Sequence, residues 1–278
     1  PYVFGQISAN HSLSDLFAMG AEAQSALAIA TIPYGIESKV EDTVRQLMAG
    51  AMKGLEDAGA SLVGGHTSEG AELALGFSAN GLIEKERILR KGGMKSGDRL
   101  ILTKAIGTGT LFAADMRRKA KGRWIQNAIE SMLLSNRIAA SLVHQHGATA
   151  CTDITGFGLL GHTVEMIRSS SVDVEIDIDS LPILDGAEET IEIGILSSLQ
   201  PANVRLRRAI QNRQEAITSK RFPLLFDPQT SGGLLASVPE NRAEECVAAL
   251  HMAGFSSSRI IGSVKPESDS LEPVTLLL

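Results

Sequence analysis

The stretch Cys151-Thr152-Asp153-Ile154-Thr155-Gly156-Phe157-Gly158-Leu159-Leu160-Gly161-His162 sets the reading of the whole chain. It begins at the end of an apolar run, Ala148 to Cys151, that suits a strand. It crosses three glycines and enters the helical pattern Leu159, Leu160, Val164, Ile167. Strand, glycine-rich turn and helix in that order make an α/β unit, and the N–H groups and dipole at such a helix start favour phosphate. Asp153 stands at the mouth of the turn. One carboxylate beside phosphate oxygens is a setting that suits Mg2+, a hard ion. The expectation from this stretch alone is a Mg-nucleotide site. Cys151 is expected to be a small buried residue rather than a nucleophile, and His162 to be structural.

A second unit of the same kind precedes it. Leu100-Ile101-Leu102 reads as a strand, and Gly107-Thr108-Gly109-Thr110 opens a helix over Leu111 to Lys119. No GxxxxGK[ST] is present, so this is not a P-loop. Lys104, Thr108 and Thr110 are candidate phosphate contacts. Beyond it, Trp124 to His146 reads as one long helix, with Ile125, Ile129, Met132, Leu133, Ile138 and Leu142 as its core face.

Towards the N-terminus, Tyr2 to Asn10 reads as a short strand, followed by a helix capped by Ser12 or Ser14 and stopped by Gly20. Asp15 then falls in a helical first turn. Ala26 to Pro33 is an apolar run ended by Pro, expected to be a buried strand. Glu37 to Gly59 carries Val40, Val44, Leu47, Met48, Ala51 and Leu55 on one helical face. Ala60 to Val63 reads as a strand that delivers the loop Gly64-Gly65-His66-Thr67-Ser68-Glu69-Gly70, and Glu72 to Ile83 as a long strand. The glycine-rich, charged segment 85–97 is the expected boundary, dividing the chain into 1–92 and 93–278.

On the C-terminal side, Val172 to Ile178 alternates as a strand with one apolar face. The region 180–220 is broken by Pro182, Gly186 and Pro201, with a helix expected within Val204 to Ile217. Asp227-Pro228-Gln229-Thr230-Ser231-Gly232-Gly233 is dense in turn residues between two strand-like runs. Asn241 to Ala253 reads as a helix and Arg259 to Val264 as a final strand.

Composition limits the partners. The 278 residues carry a net charge of −6 and are 44% hydrophobic, which argues against a nucleic-acid partner and allows a substantial core. No apolar run reaches membrane-spanning length, so no membrane partner is expected. Two cysteines without CxxC exclude a disulfide framework or zinc ribbon and suit a reducing cytoplasm.

Four motifs together resemble selenophosphate synthetase, a relative of aminoimidazole ribonucleotide synthetase, thiamine-monophosphate kinase and a hydrogenase maturation factor. They are Asn10 to Gly20, Gly64 to Gly70, Thr152 to His162, and Asp227 to Gly233. The resemblance covers residues 1–265. It implies a two-lobed α/β (α+β) fold, an N-terminal lobe that forms a β-barrel with a second subunit, and a C-terminal α/β lobe. It implies a homodimer that converts ATP, selenide and water into selenophosphate, AMP and phosphate with Mg2+. Asp15 and Asp153 match the metal-holding acids, Asn10 a residue beside the nucleotide, and Gly64, Gly65, His66 and Thr67 a nucleotide-contacting loop. The family's catalytic Cys and Lys segment would lie upstream of Pro1, so no catalytic residue is expected within 1–278 and the chain alone is expected to be inactive. An aminoimidazole ribonucleotide synthetase-like enzyme is the nearer alternative; His66 stands where that enzyme would carry an acid. A non-catalytic nucleotide-binding dimerisation module is the other.

Overall fold

The computed structural model describes all 278 residues. The chain divides into two compact units: residues 1–88 with 132–137, and 89–131 with 138–278.

The first unit opens on a helix, α1 (Tyr2–Ala18), where a strand and a shorter helix were expected. Its buried stripe Gly5, Ala9, Leu13, Phe17 repeats every four residues, a helical spacing easily lost when two members are small. It packs against α2 (Glu37–Asp57) at backbone distance. A Cβ on Gly5 would collide with Leu47 O, and one on Gly50 with Tyr2 O. Glycine is needed because the helices touch, and the strand-like reading of Tyr2 to Asn10 failed for that reason. Between them runs β1 (Glu22–Pro33), longer than expected, with β2 (Ser61–Gly70) and β3 (Ala74–Leu82) completing a sheet of order β2-β1-β3. β2 runs parallel to β1 and β3 antiparallel.

Two expectations are corrected here. β1 is not buried on both faces. Ala26, Ala28, Ala30 and Ile32 face the helices, with Leu47, Val40 and Val44 among their neighbours, while Leu27 and Ile29 face outward. The segment Gly64–Gly70 is not a loop but the body of β2, paired residue by residue with Leu27 to Pro33 after a bulge at Ala26/Leu27. The bulge absorbs Val63, and a Cβ on Gly65 would collide with the Ala28 backbone. The glycines serve close strand approach rather than a turn.

The second unit is built on a six-stranded sheet of order β5-β7-β4-β8-β6-β9. Its strands are β4 (Arg99–Leu102), β5 (Ala150–Asp153), β6 (Val172–Asp177), β7 (Leu234–Val238), β8 (Arg259–Pro266) and β9 (Val274–Leu277). All pairs are antiparallel except β6 with β9. β5 and β7 are buried at every residue, so both faces of the sheet are covered there. Helices α3 (Thr108–Met116), α6 (Gly158–Arg168) and α10 (Glu240–Met252) fall where expected. The long helix over 124–146 is instead two, α4 (Gly122–Leu133) and α5 (Asn136–Gln145). Ser135 interrupts them and accepts a hydrogen bond from Arg137 N–H at 3.4 Å, an N-cap contact that restarts the helix. The region 180–220 holds three short helices, α7 (Ala187–Glu192), α8 (Gln200–Asn203) and α9 (Arg213–Ala216), not one. Leu224–Phe226, read as strand-like, lies in a 3-10 turn, and the apolar tail forms β9, so Arg259–Pro266 is not the last strand.

Candidate functional site

In the second unit, three segments meet at one end of the sheet: the turn after β4, the turn after β5, and the segment Asp227–Gly233 that leads into β7. The spatial order β5-β7-β4 sets this meeting, because β7 enters the sheet between the other two. Ile154 N–H donates to Gly233 O at 2.8 Å and Thr103 N–H to Leu234 O at 3.0 Å, which stitches all three together. The paired glycines let the backbone pass through. A Cβ on Gly233 would lie 2.6 Å from Lys104 N, and one on Gly232 would collide with Ile154 O. Ser231 is held at φ 48, a left-handed conformation uncommon for serine.

Asp153 ends β5. It is 5% exposed, and its Oδ2 has no hydrogen-bond partner. A buried carboxylate oxygen without a donor costs free energy unless a ligand or ion serves it. His162, on α6, is buried and orients the turn beyond. Thr155 N–H donates to His162 Nε2 at 3.1 Å, so that nitrogen is the acceptor and the proton sits on Nδ1, 3.2 Å from Glu165 Oε2. Burial lowers the pKa of His162, which keeps the ring neutral. The structural role expected for His162 holds. Cys151 is buried and burial pushes its thiol pKa up, so it is no nucleophile.

The start of α3 departs from expectation. Its donors are already used. Gln229 Oε1 accepts from Gly107 N–H (3.0 Å), Thr108 N–H (3.1 Å) and the Thr108 hydroxyl (3.1 Å), and Asp227 Oδ2 accepts from Gly109 N–H (3.0 Å). Thr110 donates to Ile195 O at 2.7 Å. Thr108 and Thr110 are therefore internal partners, not phosphate contacts. Asp227 and Gln229 place acceptor oxygens where a bound anion would otherwise sit. Burial raises Asp227 to about 7 against the hydrogen bonds from Gln229 and Gly109, and its Oδ1 is unpartnered. The sequence offers Asp-Pro-Gln as a turn only; nothing in its spacing reveals that it caps a helix 120 residues away. The start of α6 is buried: Gly158 N–H donates to Thr155 O at 3.0 Å, and a Cβ on Gly158 would collide with the Phe226 backbone, so the phosphate expectation rests on the Asp153 turn ahead of it. Lys104 is 2% exposed and donates to Ser231 O at 3.0 Å; burial pulls it down to about 7 while the Asp153 charge pulls it up.

In the first unit, Asp15 is exposed in the last turn of α1, not the first. A carboxylate there opposes the helix dipole, so the dipole does not explain its presence. Asn10 Nδ2 donates to Leu133 O at 2.8 Å, capping the end of α4 within the same unit. On β2, Gly64 and His66 pair with the outward-facing Leu27 and Ile29, and Gly65 and Thr67 with the inward-facing Ala28 and Ala30. These four residues thus lie on two faces of one edge strand. No group of three or more His, Cys, Asp or Glu is placed to hold a metal.

Residues 1–83 match the AIR synthase related protein N-terminal domain and residues 95–272 its C-terminal domain. The chain is 38% identical over 273 residues to a selenide, water dikinase of Clostridioides difficile (strain 630), covering 97% of this chain and 76% of that protein. It is 39% identical over 269 residues to a selenide, water dikinase of Pelobacter propionicus, covering 96% and 76%. Among solved structures, a hydrogenase maturation protein HypE in complex with ATP superposes with a TM-score of 0.72 at 17% identity, covering 94% of this chain and 71% of that one. That likeness concerns the fold.

Proposed function

We infer the function from one premise: the chain belongs to the selenide, water dikinases of the AIR synthase related family. It is an ATP-dependent phosphotransferase of that family. The reaction is ATP, selenide and water to selenophosphate, AMP and orthophosphate. The observation that carries the site assignment is the buried, unpartnered Oδ2 of Asp153 at the mouth of a glycine turn.

Asp153 in the second unit and, separately, Asp15 in the first are each proposed as a Mg2+ carboxylate. Magnesium bound at Asp153 would neutralise developing charge on the transferred phosphoryl group, which is most of what such a transfer asks of its surroundings. The protein's own part is positioning. The neutral His162 holds Thr155 and keeps the turn after Asp153 in one shape. Asp227 and Gln229 fill the start of α3, so a phosphate is directed away from that helix. Asn10, Gly64, Gly65, His66 and Thr67 are proposed nucleotide contacts; of these, Asn10 has its amide N–H committed to Leu133 O.

Magnesium as the metal, the homodimer and a cytoplasmic location belong to this proposal. The outward face of the first sheet, with Leu27, Ile29 and Leu82 exposed beside Val63, supports pairing with a second copy. No helix is long and apolar enough to cross a membrane, and the two cysteines are buried and unbridged. Calorimetry with Mg-ATP tests the site: Asp153→Asn is expected to weaken binding at least about tenfold, near 1.4 kcal/mol. Equal binding would favour a nucleotide-binding module without metal chemistry. Wherever selenide-dependent turnover of Mg-ATP occurs, the phosphorus NMR spectrum is expected to show AMP, orthophosphate and selenophosphate in equal amounts. ADP as the final nucleotide would overturn the reaction assigned.

A further inference from the structure

Lys104 is the one element of the Asp153 surroundings that the metal reading does not use. Its ammonium carries three donors, and its hydrogen bond is to Ser231 O. It stands across the Gly232–Gly233 passage from Asp153, in a buried setting where charges are weakly screened. Asp153 Oδ2 is unpartnered, and the Asp153 charge offsets part of the lowering that burial imposes on Lys104. With the ammonium protonated and the carboxylate ionised, the two charges cancel. A divalent cation added at Asp153 would leave a net charge of about +2 in a dry site, an unfavourable balance. A cation arriving with phosphate oxygens cancels that excess, and gives the spare Lys104 donors an acceptor.

We propose that Lys104 is a positioning residue that makes the Asp153 site select a metal–phosphate complex over the bare metal ion. This rests on Asp153 being a metal carboxylate. The ammonium repels a lone cation and attracts the phosphate that accompanies it, so metal and nucleotide bind as a unit. Ser231, strained at φ 48, is held by its carbonyl to the same ammonium, which fixes Lys104 in place beforehand.

The test compares two ligands at pH 6.0, below the value of about 7 to which burial pulls Lys104. Bare Mn2+ is titrated and followed by the electron-spin signal of the free ion. Mg2+ with a non-hydrolysable ATP analogue is titrated by calorimetry. Lys104→Met removes the charge and the donor; Lys104→Gln removes the charge and keeps a donor for Ser231 O. Both variants are expected to bind bare Mn2+ at least tenfold more tightly than wild type and the metal–nucleotide complex at least tenfold more weakly. The opposite signs are the signature, since a damaged fold weakens both. Unchanged or weakened Mn2+ binding in both variants overturns the proposal, as does restoration of wild-type behaviour by Gln. Asp153→Asn in the same Mn2+ titration separates the two readings. If it leaves Mn2+ binding intact, the metal assignment itself fails. If it abolishes binding while the Lys104 variants show no opposite shifts, only the Lys104 role fails.

Discussion

The two sheets of this protein solve the same problem differently. The six-stranded sheet buries β5 and β7 completely and draws Leu100, Leu102, Leu235 and Ile176 into one core. The three-stranded sheet covers one face with α1 and α2 and leaves Leu27 at 42% exposure, Ile29 at 60% and Leu82 at 62% on residues that a self-contained unit would bury. Its edge strand β2 is exposed along almost its whole length. An uncovered apolar face and an open edge are expensive in water and prone to pairing. The lesson is that the second unit's sheet has both faces covered at β5 and β7, whereas the first unit's sheet leaves an apolar face and an edge open, which we propose a second copy covers.

The sharpest way to break the comparison is to damage each sheet in turn. Leu235→Ala, in the covered sheet, is expected to cost about 2–5 kcal/mol of stability, read from denaturant unfolding, with no change in assembly. Ile29→Asp, on the open face, is expected to act the other way. It should raise the dimer dissociation constant about a hundredfold, near 2.7 kcal/mol, by sedimentation, while moving the unfolding of the monomer by less than about 0.5 kcal/mol. A loss of monomer stability as large as that of Leu235→Ala would show that the face is closed within the chain. Gly50→Ala probes the covered side of the same first sheet. Its Cβ would collide with Tyr2 O, so α1 must shift, at about 1–3 kcal/mol. Survival of the dimer in that variant would show that the open face forms without the exact seat of α1.

The smallest effect is a pH dependence, and it belongs to the second unit alone. Asp227 rises from its ordinary 3.8 to about 7 through burial. A carboxyl with a raised folded-state pKa contributes stability that is full below the unfolded value and is lost as pH rises through the folded one. Stability of the second unit is thus expected to fall between about pH 4 and 7 by this route, and Asp227→Asn to flatten the slope over that window. An unchanged slope in thermal melts would show that Asp227 ionises without cost.

Local chemistry wrote much of the fold into the sequence. The alternation of Val172 to Asp177, the stripe of α2, and the strand–turn–helix around Asp153 were legible because each is specified by residues within a few positions of one another. The place of Asp153 at the end of β5 was legible for the same reason. The failures share a cause. Tyr2 to Asn10 looked like a strand because Gly5 and Ala9 mark a helix face only when another helix lies on it. Gly64 to Gly70 looked like a loop because its glycines answer to Ala28 across a bulge. The break at Ser135 was hidden by continuous periodicity in the residues around it.

What the sequence determined by itself was the kind of chemistry: an acid at the mouth of a glycine turn, two α/β-type lobes, and four motifs that together mark one family. What only the tertiary structure decided was which donors and acceptors are free. Gln229 and Asp227 consume the start of α3, Lys104 reaches Ser231 O, and Asp153 Oδ2 is left without a partner. Those outcomes depend on β7 entering the sheet between β4 and β5, which brings residues 118 to 127 positions apart within hydrogen-bond range. A hydrogen bond reads distance in space, and distance along the chain carries no record of it.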